Sequence, residues 1–255
     1  VVWIAGALTL MPLIDGRGLA WSLEQARAAF ATLPGYLLLG AAVAVTYQWL
    51  DGLVRLLFAD MRATHDQEGL GIEGLRALAR GAVAGLAGGL VFTVVMARIG
   101  FLPKVAALIG STSPTTGVVV QLVIALAIGA AYGASFRRQS YDISSGLGWG
   151  TSYGFFWWIL GPLTLMPLML GTSPTWTAEA AAGLFANLIG HLAYGAILGV
   201  VFHLLEASQN PWWIPRSRAE AARVAHRKEQ LLTSAPALWT LVVVIALLLP
   251  VLLGG

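Results

Sequence analysis

Residues 158–205 open W-I-L-G-P-L-T-L-M-P-L-M-L-G, turn through T-S-P-T-W-T-A-E and continue as a second apolar run. Residues 3–50 repeat this stretch at a constant offset of 155 residues without a gap, and 22 of the 48 positions are identical. The shared residues include Gly6/Gly161, Thr9/Thr164, Met11/Met166, Pro12/Pro167, Gly16/Gly171, Trp21/Trp176, Glu24/Glu179, Phe30/Phe185 and Gly35/Gly190. A match that long and dense is a duplication of one helical hairpin. In both copies a hydroxyl residue, Ser22 or Thr177, stands two positions before a glutamate, Glu24 or Glu179. A hydroxyl at the N-cap accepts from free backbone amides, and a carboxylate in the first turn suits the helix dipole. The two glutamates are therefore read as helix-start residues.

Working outward, the 255-residue chain is 58% hydrophobic and only 11% charged, against about 25% charged in soluble domains. Mean hydropathy is +0.78. Several apolar runs reach the roughly 20 residues that cross a bilayer as a helix. Backbone polar groups must be satisfied internally in lipid, and these runs are too long for barrel strands. The fold class is an all-α integral membrane protein, a polytopic bundle of about seven visible transmembrane helices. Residues 1–50 are repeated at 156–205. The chain has no cysteine, which removes disulfides and thiolate metal sites. A net charge of +3 gives no reason to expect nucleic acid as a partner.

The pattern predicts a first hairpin over 1–50, with helices ending near 14 and running over 23–50. The opening run is too short to span, so the sequence is expected to start inside a helix. A polar linker follows at 51–80, in which L-V-R-L-L-F reads as a short interfacial helix. A second hairpin covers 81–138, with helices near 81–101 and 118–136. The third, 146–205, has helices near 146–170 and 178–205. A basic amphipathic linker at 206–236 precedes a last helix at 237–253, and an eighth helix would complete the pattern. Gly81, Gly85 and Gly89 open one helix, and Gly146, Gly150 and Gly154 open another. Glycine every fourth residue lets two helices approach closely in lipid.

Charge orients the hairpins. Segments 51–80, 137–145 and 206–236 carry eleven of the fifteen Lys and Arg residues. The positive-inside rule places them in the cytoplasm, and the expected location is the prokaryotic cytoplasmic membrane. The two copies lie four helices apart and so share one orientation, making a parallel repeat. Trp21 and Trp176 fall at the outer face as interfacial anchors.

Ionisable residues within a membrane are functional candidates by default, and here every Asp and Glu falls in a loop or at a helix end. That argues against ion-coupled transport and voltage sensing. His191 and His203 lie on one helix, about 18 Å apart at 1.5 Å per residue; they are the candidate ligands for haem or chlorophyll. Pro12 and Pro167 break helices at equivalent places. With Thr9, Thr164 and Asn187 they are the candidate lining of a pore or cavity, since broken helices line sites in transporters. Asp60, His65, Asp66 and Glu68 lack metal-site spacing and read as a solvated linker. No catalytic motif is present, and the chain is not expected to be an enzyme.

Two functions follow. The first is a non-catalytic subunit of a larger respiratory or photosynthetic membrane complex, serving electron transport or photosynthesis and packing against other subunits, lipid or pigment. The alternative is a transporter or channel for a small neutral or hydrophobic solute.

Overall fold

A computed structural model describes residues 2–58, 70–137, 139, 142–207, 238, 241–242, 245–246, 249 and 251–253. All regular structure among them is helical. Four helices are long and apolar enough to cross a membrane, which makes this a multi-pass membrane protein. The metal-binding possibility at 60–68, the basic linker and most of the last predicted helix lie outside the described residues.

α1, Ile4–Ile14, begins as a π-helix over Ile4–Leu10 and tightens to an α-helix at Met11–Ile14. α2, residues 23–58, has one 3-10 turn at Phe30–Thr32. It does not stop at Leu50; the predicted interfacial segment continues the same helix to Phe58, since nothing in D-G-L-V-R-L-L-F breaks it. α3, Leu70–Arg98, likewise starts well before Gly81. Its first turns carry Leu70, Leu75, Arg76, Ala77, Leu78, Ala79 and Arg80, good helix formers that extend it beyond the apolar span.

α4, residues 102–109, is a short helix absent from the sequence reading, started by Pro103 and ended by the left-handed Gly110. α5 is Pro114–Phe136, with its proline at the first helical position. α6, residues 143–169, passes from α-helix at Ile143–Leu160 through a π-helix at Gly161–Leu165 to Met166–Met169. α7, residues 178–207, has a break at Leu184. The predicted caps are in place: Ser22 accepts from Gln25 N–H, and Thr177 from Ala180 N–H. Glu179 is exposed; a hydrogen bond with its own backbone, then Thr177 and Arg27, hold its carboxyl below the usual range.

The bundle is α3, α5, α6 and α7. α3 packs on α5, α6 on α7, and α7 on α3. Lipid tails give no hydrophobic drive for helices to associate, so close packing of small residues must hold them together. A Cβ placed on Gly81 would stand 2.8 Å from the Gly133 backbone of α5, and one on Gly85 2.8 Å from Gly129 Cα. The α6–α7 pair is built alike. A Cβ on Gly150 would stand 2.9 Å from the Gly199 backbone, and one on Gly154 3.2 Å from Gly195 Cα. At the end of the bundle away from the α6–α7 turn, aromatic rings fill the interior. Tyr132 is fully buried, with ring centres of Phe136, Tyr153 and Phe202 at 4.8, 5.2 and 5.5 Å.

The first hairpin sits beside this bundle. Trp3, Leu8, Phe30 and Leu33 share a buried cluster with Trp158, Ile159, Leu163 and Leu188. Three of these pairs, Trp3/Trp158, Leu8/Leu163 and Leu33/Leu188, are equivalents in the two copies. An ion pair between Arg27 and Glu179, 3.7 Å, links the two helix starts.

Candidate functional site

The two copies fold their proline segments in the same way. Proline has no N–H to give to the carbonyl four residues back. Pro12 thus leaves Leu8 O free, and Ala20 N–H donates to it at 3.0 Å; Pro167 leaves Leu163 O free, and Thr175 N–H donates at 2.9 Å. Thr9 Oγ1 donates to Ile4 O and accepts from Trp21 Nε1; Thr164 Oγ1 donates to Ile159 O and accepts from Trp176 Nε1. Gly16 and Gly171 close both turns with φ of 69° and 78°. Thr9, Pro12, Thr164 and Pro167 are thereby placed in paired turn-closing networks, and they do not line the cavity described next.

One pair of positions breaks the equivalence. In the first copy, Trp3 Nε1 donates to Thr32 Oγ1 at 2.9 Å, and Thr32 passes the bond on to Ala29 O at 2.7 Å. In the second copy, Asn187 replaces Thr32, and Trp158 Nε1 reaches past it to Leu184 O at 3.3 Å. Asn187 is released from that duty. It is 1% exposed, and neither its amide nitrogen nor its amide oxygen has a hydrogen-bond partner among the described residues. Each unpaired buried polar atom costs about 1–3 kcal/mol.

Asn187 is among the residues lining a partly open cavity of about 240 Å³ between α3, α5, α6 and α7. Its walls are mainly apolar, including Phe92, Met96, Ile124, Pro162 and Met166, and α4 contributes Val105 and Leu108. Gln121, Trp157, His191 and Tyr194 are the other lining residues with polar side-chain atoms, and among the described residues no Asp, Glu, Lys or Arg lines it. The cavity occupies the half of the bundle nearest the α6–α7 turn. Between it and the aromatic cluster, two tyrosines on neighbouring helices donate to carbonyls of α5: Tyr194 to Ala125 O at 2.9 Å and Tyr153 to Ile128 O at 3.0 Å.

His191 stands one turn after Asn187 on the same face. Its Nδ1 lies 3.0 Å from Asn187 O. A carbonyl only accepts, so Nδ1 carries the proton and Nε2 is left as the acceptor. Nε2 is directed towards the α6 backbone, 3.9 Å from where a Cβ on Gly161 would sit. The Phe92 ring packs edge-on at 4.5 Å between ring centres. His203 is at the other half of α7, where its Cβ faces Gly146. The structure brings Asn187 and His191 together at one site and leaves His203 outside it. Gln121 and Pro162 belong to the site without having been singled out in the sequence. The signal for Pro162 was visible, as a second proline five residues before Pro167.

No family model, no curated protein and no solved structure matches this chain.

Proposed function

We propose that this chain is a multi-pass carrier or channel for a small, neutral, largely apolar solute, held in the cavity between α3, α5, α6 and α7. The observation that carries this reading is Asn187: an amide with two donors and an acceptor, buried in an apolar cavity and unpaired. An amide used only for packing would be expected to find partners, as Thr32 does in the other copy. The volume lies below the roughly 300–1,000 Å³ of sites for drug-sized ligands, so the solute is compact. The lack of charged lining residues supports a neutral one, because an ion moved into such a site would lose its hydration without a counter-charge.

In this reading the chain is a parallel duplication with seven transmembrane helices, in the prokaryotic cytoplasmic membrane. Segments 51–80, 137–145 and 206–236 face the cytoplasm, and the solute site lies in the outer half. The aromatic cluster around Tyr132 closes the inner half.

A second reading keeps the chain as a non-catalytic subunit of a larger complex. It is supported by α2, where Leu39, Val43 and Tyr47 are exposed although their equivalents Tyr194, Leu198 and Phe202 are buried. Another subunit would cover that face. Two measurements separate the readings. In mild detergent, purification from native membranes should yield this chain alone or as a homo-oligomer. In proteoliposomes, uptake of 1,2-propanediol after an osmotic step should exceed that of protein-free vesicles. Stoichiometric co-purification of other chains together with no added uptake would overturn the carrier reading in favour of the subunit.

A further inference from the structure

We infer that the cavity selects a molecule bearing a hydroxyl or a primary amide on a compact apolar body, and that Asn187 is the residue that selects it. This inference rests on the solute-site reading above and adds the chemical class of the solute. Asn187 presents N–H donors and a carbonyl acceptor side by side. His191, four residues on and therefore on the same helix face, presents the Nε2 acceptor. A hydroxyl pairs with one group of each kind: its oxygen accepts from Asn187 Nδ2–H, and its proton goes to Asn187 Oδ1 or His191 Nε2. A primary amide pairs in the same manner. A hydrocarbon leaves all of these groups unpaired. A ketone or ether satisfies only the donor. A carboxylate or ammonium finds no opposite charge among the lining residues.

The surroundings fit a ring-sized or short-chain body. Phe92, Met96, Ile124, Leu165 and Met166 supply apolar walls, and two methionines can adapt to an irregular outline. The comparison of copies explains why the device is at 187. A threonine there would be committed to the neighbouring tryptophan, as Thr32 is to Trp3; Asn187 is free of Trp158, which bonds the backbone directly.

The test uses the full chain in nanodiscs with three probes of similar shape: benzyl alcohol, toluene and benzoate. Binding is read by saturation-transfer NMR and by the shift of the unfolding midpoint. A site built to hydrogen-bond a hydroxyl strongly rejects an analogue lacking it, whereas a plain apolar pocket does not. Benzyl alcohol should bind at least about tenfold more tightly than toluene, and benzoate should not compete. Asn187→Leu, close in volume, should abolish the preference and bind toluene as well as benzyl alcohol or better. Asn187→Thr, the residue of the first copy, is the second variant and should also lose most of the preference.

If the wild type binds toluene and benzyl alcohol equally and Asn187→Leu changes nothing, the inference is overturned, while the apolar solute site survives. Tight binding of benzoate overturns the claim of a neutral ligand. If no probe binds and none shifts the midpoint, both the inference and the solute site fall.

Discussion

Gly195 and Gly40 are the same residue in the two copies, and substitution by alanine should act on them with opposite sign. A Cβ on Gly195 would press on Gly150 O and stand 2.9 Å from Gly150 C and Gly154 N. Ordinary contact begins at 3.4 Å, so α6 and α7 must part by at least about 0.5 Å. The obstacle is backbone on both sides, which cannot rotate away as a side chain would. Overpacking typically costs 1–3 kcal/mol, and a rigid crossing places Gly195→Ala near ~3 kcal/mol. At Gly40 an added Cβ meets nothing within 4 Å among the described residues. There alanine only replaces the poorest ordinary helix former by the best, a gain of up to ~1 kcal/mol. The assay is reversible unfolding in mixed micelles by SDS titration, followed by tryptophan fluorescence, for wild type and the two variants. Equal destabilisation by both substitutions, or a cost below ~1 kcal/mol for Gly195→Ala, would refute the close backbone crossing of α6 on α7.

Other outcomes follow from the paired turns, the ion pairs and the charge pattern. Thr164→Val removes a donated bond to Ile159 O and an accepted bond from the half-buried Trp176. At about 1 kcal/mol per bond, it should cost ~2 kcal/mol in the same titration, and more than Thr9→Val, whose partner Trp21 is exposed. Arg80 and Glu206 tie α3 to α7 at 2.7 Å with side chains only 20% and 28% exposed. Arg80→Gln should cost about 1–2 kcal/mol, between exposed and buried pairs. Arg17→Gln, in the exposed pair with Asp15, should stay within about 0.5 kcal/mol of wild type. Because the chain has no cysteine, single-cysteine labelling can map its orientation. His65→Cys should react with impermeant maleimide only from the cytoplasmic side and Ser173→Cys only from the outside; the opposite result would reverse the orientation.

Much of the architecture was legible along the chain, because bilayer length and helical periodicity are local properties. The long helices, the caps at Ser22 and Thr177, and the glycine ladders along two helices could all be read from residue type and spacing. Helix ends were less legible. α2 and α3 continue into charged segments that are good helix formers but poor membrane formers, and hydropathy marks where the bilayer ends, not where the helix does. The short α4 was missed because two turns carry too little periodicity to detect.

The candidate site was legible only in part. Asn187 and His191 stood out as polar residues in an apolar helix, yet so did His203, and spacing along α7 cannot tell which of them faces a cavity. Thr9, Pro12, Thr164 and Pro167 drew attention as repeated helix breaks. Their freed carbonyls are taken up by amides some twelve residues further on, a pairing made by the fold of the turn.

By itself the sequence determined a helical membrane protein, since composition sets the solvent, and it showed two stretches identical at 22 of 48 positions at a fixed offset. Tertiary structure alone decided what each copy became. Equivalent positions are buried in α7 and exposed in α2, because, among the described residues, α7 is packed closely against both α3 and α6 and α2 is not. Among the described residues the amide of Asn187 has no partner, because Trp158 bonds the Leu184 carbonyl directly. Those are distances between segments far apart in the chain, and no local pattern encodes them.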